Sequence, residues 1–198
     1  MIRAEQVKRG QHLEYATLGY NALEAVIAIA SGMVASSIAL IGFGIDSVIE
    51  VSAGSIMLWR LSQDADPCAE RKAQRWIGYS FFALAAYVLW EAVGGLWRHE
   101  APEASWIGIA LASVSVILMP LLAARKRQVG LSLGSAAMIA DARQTALCSY
   151  LSAILLLGLA ANALAGWWGA DAVAGLVMTP IICKEGIDAL RGEGCQCH

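Results

Sequence analysis

Long apolar runs separated by short charged connections set the layout of this chain. Six can be drawn, at roughly residues 13–34, 36–60, 76–97, 105–124, 138–165 and 169–190. Each is long enough to cross about 30 Å of hydrocarbon at a helical rise of about 1.5 Å per residue. The expectation is an all-α membrane protein, a single domain of six transmembrane helices over residues 1–198, with 191–198 as a short Cys/His tail. The connection from Leu61 to Arg75 reads as a short polar stretch with one proline, and no Gly/Ser linker interrupts the pattern. Gly42, Gly44, Gly94, Gly95, Gly169 and Gly175 fall in or beside the runs, where small residues let helices approach closely.

Composition excludes a soluble domain. Hydrophobic residues make up 58% and charged residues 15%, against about 25% charged in a typical soluble protein, and mean hydropathy is +0.59. The net charge of −2 gives no ground for a nucleic-acid partner. Charge placement orients the chain instead. Arg3, Lys8 and Arg9 precede the first run; Arg71, Lys72 and Arg75 lie between the second and third; Arg125, Lys126 and Arg127 lie between the fourth and fifth; Lys184 and Arg191 close the chain. The opposite connections hold only Arg98, so the positive-inside rule puts both termini in the cytoplasm. The first run carries Asn21 and Glu24 and is too long for the core of a cleaved leader. A bacterial inner membrane is the simplest assignment. Of five cysteines, Cys68, Cys195 and Cys197 fall on the cytoplasmic side and Cys183 near it, a reducing compartment that favours thiols over disulfides.

Candidate chemistry lies inside the runs. Asp46 with Glu50, and Gln144 with Cys148, are pairs four residues apart, a spacing that stacks both members on one helical face. A carboxylate at mid-bilayer costs about 2.5 to 3.5 kcal/mol on insertion scales, so a buried pair is read as functional. Counting along the second and fifth helices brings the two pairs to similar depth, with Asp141 on the same face as Gln144 and Cys148 and nearer the cytoplasm, where it could line the approach path. The structural alternative is interhelical hydrogen bonding, at about 0.6 to 2 kcal/mol per contact, but a single such contact does not need two stacked pairs. Two carboxylates, an amide oxygen and a sulfur suit tetrahedral zinc or cadmium; magnesium would want more oxygens and copper(I) more sulfur. The carboxylates nearly neutralise a divalent ion, and once it leaves, desolvation and mutual repulsion favour uptake of a proton. No organic cofactor is called for.

The segments GFGIDSVIEVSAGS and ADARQTALCSYLSAILLLG resemble the two signature helices of the cation diffusion facilitator (cation efflux) family. The likeness extends to GADAVAGLVM, with Asp171, and to RHEAPEASWIG, over roughly residues 10–190. The resemblance implies a six-span homodimeric transporter that exports divalent transition metals, zinc foremost with cadmium or another such ion as alternatives, in exchange for protons. It carries the metal ligands onto Asp46, Glu50, Gln144 and Cys148. The chain departs from the family pattern in two ways. Usual members have His or Asp followed by Asp where Gln144 and Cys148 stand, which bears on metal choice and leaves proton coupling to Asp46, Glu50 and the Cys148 thiol. Usual members also carry a cytoplasmic C-terminal domain, so this chain looks most like the short branch of the family, with any dimer held by its spans.

Other residues carry two readings each. Glu24, three residues after Asn21, could line the cavity or accept a proton, or it could pair with Arg143 as a structural lock. Glu91 reads as interfacial. Asp64, Asp66, Cys68 and Glu70 could collect metal or form a solvated turn around Pro67, and Cys195, Cys197 and His198 could capture metal or form a disordered end. Tryptophans such as Trp97, Trp106, Trp167 and Trp168 suit an interfacial belt. A metal-binding or sensing protein without transport would hold an ion through the tail and loop cysteines, Cys195 and Cys197 foremost. An enzyme with Cys148 as nucleophile lacks a base at membrane depth, since His12, His99 and His198 lie near or outside the span ends; the expectation is a non-enzyme.

Overall fold

In a computed structural model, described over residues 3–35, 38–63, 66–98, 106–165 and 170–191, each apolar run becomes one helix: α1 (Arg3–Ala35), α2 (Ile38–Ser62), α3 (Pro67–Arg98), α4 (Trp106–Leu133), α5 (Ala136–Ala165) and α6 (Ala170–Arg191). Among the described residues there is no strand. The spans 36–60, 138–165 and 169–190 match α2, α5 and α6 closely. The other three helices outrun their apolar stretches at one end, because charged residues continue a helix as readily as apolar ones when they are good helix formers. α1 and α3 begin some ten residues early, and α4 carries Arg125–Arg127 as helix rather than loop. By length and composition, four described helices can cross a membrane: Arg3–Val34, Leu40–Ser62, Pro67–Trp97 and Trp106–Leu133.

The junctions explain where the helices stop and start. α4 ends at Gly134, whose φ of 64° is the left-handed conformation that only glycine adopts without penalty. The Ser135 N–H donates to the Gly130 carbonyl at 2.9 Å and the Gly134 N–H to Leu131 at 3.3 Å, the paired bonds of a Schellman stop. Ser135 then caps α5, its hydroxyl accepting from the Met138 N–H at 3.1 Å. α3 opens with Pro67 at its first position, where a missing N–H costs nothing, and Asp66 caps it by accepting from the Cys68 N–H at 2.9 Å.

Glu70 ties three helices together at this end of the bundle. It pairs with Arg60 of α2 and accepts from the Ser135 hydroxyl and the Ala137 N–H at 2.9 and 2.8 Å, adding a carboxylate at the positive end of α5. Asp66 and Glu70 are thus structural caps. The Gln74 amide, donating to the Ala189 carbonyl at 2.8 Å, closes α3 on α6 at the same level.

α2 and α5 lie against each other and both touch α3; α1 packs on α2 and α4, α4 on α5, and α3 on α6. Met57, Ile77, Phe81, Leu84, Met138, Leu147 and Ile182 fill the main core. A smaller cluster of Ala28, Leu40, Phe43 and Ala112 fills the other end. Large apolar side chains also cover the outside: Trp90, Trp97, Trp106, Ile117 and Val34 are exposed, which in water would be costly and in hydrocarbon is not.

Candidate functional site

Antiparallel packing of α2 and α5 puts the two sequence pairs face to face. Along α2 the inward positions are Asp46, Ser47, Glu50, Ala53 and Met57, while Ile45 and Val48 look outward. Along α5 they are Asp141, Gln144, Thr145, Cys148 and Ser152. Because α2 runs toward the basic end of the bundle and α5 away from it, Asp46 meets Cys148, and Glu50 and Gln144 each lie one turn nearer the basic end. All four are buried, at 4, 2, 2 and 1% exposure for Asp46, Glu50, Gln144 and Cys148.

The hydrogen bonding across this interface is incomplete. The Cys148 thiol donates to Asp46 Oδ2 at 3.0 Å, a direct link between the helices. The Gln144 oxygen accepts from the Ser80 hydroxyl of α3 at 2.8 Å, but its Nε2 has no partner, and neither oxygen of Glu50 has one. An unpartnered buried polar atom costs about 1 to 3 kcal/mol, and more when charged. Native interiors leave few of them. Among the described residues no three His, Cys, Asp or Glu side chains gather closely enough to hold an ion, so as arranged the thiol–carboxylate contact stands alone, with Glu50 and Gln144 beside it.

Glu24 sits on the other side of α2 and is fully provided for. Its carboxylate accepts from Tyr20 at 3.0 Å, from Ser47 of α2 at 2.8 Å and from Ser115 of α4. Arg143 does not reach it: that guanidinium pairs with Glu185 of α6 at 2.9 Å, half-exposed on the outside of the bundle. The Glu24–Arg143 lock is therefore corrected, because α5 turns Arg143 away from the α1–α2–α4 contact while α6 offers a nearer carboxylate. Asn21, next to Glu24 on α1, is buried with neither side-chain polar atom partnered.

Asp141 lies on the expected face but is held. Lys126 Nζ lies 2.7 Å from Asp141 Oδ2 and 2.9 Å from Glu14 Oε2 of α1, with the Thr145 hydroxyl at 3.3 Å. All four residues are buried. Lys126 and Glu14 were not read from the sequence as site residues. Lys126 is hidden in an Arg-Lys-Arg run that looks solvated, and the visible signal was on α1, where Glu14, Thr17, Asn21, Glu24 and Ala28 recur at helical spacing as one inward stripe. Glu91 accepts from the Tyr87 hydroxyl on its own helix. Asp64, His99, Trp167, Trp168, Cys195, Cys197 and His198 lie outside the described residues.

Comparison with known proteins bears on this arrangement. The model of the cation efflux transmembrane domain matches residues 77–192, more than half of the chain, taking in most of α3 and all of α4 to α6, with Gln144 and Cys148. Transmembrane protein 163 of Xenopus laevis is 26% identical over 187 residues, covering 92% of this chain and 66% of the relative. An uncharacterized transporter of Methanocaldococcus jannaschii is 28% identical over 178 residues, covering 85% and 62%. The chain spans less than two thirds of the length of each of these relatives.

Proposed function

The chain belongs to the cation efflux family, and we propose that it exports a divalent transition-metal ion, zinc foremost and cadmium next, in exchange for protons. Alternating access takes place around Asp46, Glu50, Gln144 and Cys148. The observation that carries the reading is the thiol of Cys148 donating to Asp46 across α2 and α5, with the bare carboxylate of Glu50 one turn away. Sulfur and carboxylate oxygen are both zinc ligands, and a metal that takes the sulfur must displace its proton. Metal arrival and proton departure are thus one event at one atom. As arranged, the thiol proton and the Cys148–Asp46 contact stand in for the ion; approach of Glu50, and of the Gln144 oxygen as it leaves or shares the Ser80 hydroxyl, completes a four-donor set of two carboxylates, an amide oxygen and a thiolate.

The mixed set separates this chain from an all-carboxylate or imidazole site. Thiolate softens the preference toward zinc and cadmium over manganese or magnesium. Both termini face the cytoplasm by the distribution of Arg and Lys, so cargo enters from the basic end. Two copies associate through their membrane-spanning helices.

The test is uptake of zinc, cadmium, iron and manganese, each in turn, by proteoliposomes holding the purified protein under an imposed pH gradient, with Asp46→Ala as control. Gradient-dependent flux that Asp46→Ala abolishes supports an exchanger. Stoichiometric metal binding without flux of any ion would contradict transport and favour a protein that binds or senses metal through other cysteines.

A further inference from the structure

The Glu14–Lys126–Asp141 triad lies outside the metal quartet yet on the same inner column. Asp141, Thr145 and Cys148 follow one another on one face of α5, four and then three residues apart. On α2, Gly54 is one turn beyond Glu50, and Glu14 Oε2 lies 3.2 Å from where a Cβ on Gly54 would sit. Leu18 Cδ1 lies closer still, at 2.7 Å, so the missing side chain makes room for Leu18 and Glu14 together. From the basic end inward, the column therefore runs through Glu14, Lys126 and Asp141 first, then Glu50 and Gln144, then Asp46 and Cys148.

The triad is unbalanced. Two buried carboxylates face one ammonium, and each keeps a second oxygen, Glu14 Oε1 and Asp141 Oδ1, that is buried without a partner. A lock joining α1, α4 and α5 needs one group from each helix, and the triad supplies them; it does not need a second, unpartnered oxygen left on each carboxylate. Those two spare oxygens match a visiting cation. We propose that this triad is a transient cation-binding station between the basic end and the metal quartet, where an incoming divalent ion binds the free oxygens of Glu14 and Asp141, aided by Thr145, while displacing Lys126 from one of them. The donors are all oxygen, so the station accepts divalent cations with little selection among them. The tethered ammonium repels the visitor at close range and keeps it from being trapped. Selection is left to the thiolate one level further in.

The inference rests on the transport reading for its role, but its binding test does not. Equilibrium dialysis of the purified full chain against zinc is expected to show one additional zinc per chain in Lys126→Met relative to the unaltered protein, and loss of that extra ion in Lys126→Met/Asp141→Asn. An unchanged stoichiometry in folded Lys126→Met overturns the station, whether or not the protein transports. Should Lys126→Met fail to fold, Lys126→Gln takes its place, with the same extra zinc expected by dialysis. A lowered melting temperature with no extra zinc in the folded variant would mark the triad as a purely structural lock.

Discussion

Two buried glutamates, Glu24 on α1 and Glu50 on α2, have nearly the same exposure, 1 and 2%, and could hardly be treated more differently. Glu24 receives three hydroxyls from three helices. Glu50 receives none. Burial alone therefore does not separate the two acids; hydrogen-bond satisfaction does. A satisfied carboxylate holds helices together at modest net benefit, whereas a bare one is a standing cost unless something binds it. On the proposed reading Glu24 belongs to the scaffold, and Glu50, with Asp46 and Cys148, receives the ion.

The comparison can be broken most sharply at Glu50. Glu50→Gln keeps the shape and removes the charge, so metal flux is expected to vanish while the melting temperature in detergent stays level or rises, since the substitution relieves a buried charge. Retained flux would put Glu50 outside the coordination sphere. At Glu24 the signs reverse: Glu24→Ala removes the acceptor shared by the Tyr20, Ser47 and Ser115 hydroxyls, which keep the Phe43 carbonyl and each other as partners, and should lower stability by about 1 to 2 kcal/mol, with flux per folded molecule retained. A loss of pH-gradient coupling in that variant, without a loss of stability, would instead make Glu24 a proton carrier.

Cys148→Asp tests the middle ground by exchanging the soft donor for a hard one. Zinc flux should persist and cadmium flux fall relative to it, because oxygen ligands lose the preference that thiolate gives; an unchanged ratio would remove the sulfur from the coordination sphere. The smallest effect belongs to Glu70, a satisfied carboxylate at the rim. Its replacement by Ala removes the cap on α5 and the Arg60 pair and should cost about 1 kcal/mol in thermal unfolding, with metal selectivity unaltered.

Six helices were legible because hydrophobic runs of this length have one solution in a bilayer. Their polar extensions were not, since nothing in an Arg-Lys-Arg run says that the middle residue alone turns inward, and Lys126 looked like part of a loop. The i,i+4 pairs were legible from spacing on α2 and α5. Which groups would face them was not, because one sequence does not state helix adjacency. Ser80 against Gln144, Lys126 against Asp141, and Ser47 and Ser115 against Glu24 all come from helices distant in the chain. Arg143 shows the converse failure. Its charge within an apolar run suggested a buried partner, but it sits near the basic end, where α6 brings Glu185 alongside.

The central claim is that Cys148 and the two α2 carboxylates hold the ion together, and X-ray absorption of the zinc-loaded protein reads that directly. The account predicts one sulfur at about 2.3 Å with oxygen neighbours at about 2.0 Å, and loss of the sulfur signal in Cys148→Ser. A shell without sulfur, or one whose sulfur survives that substitution, would contradict it.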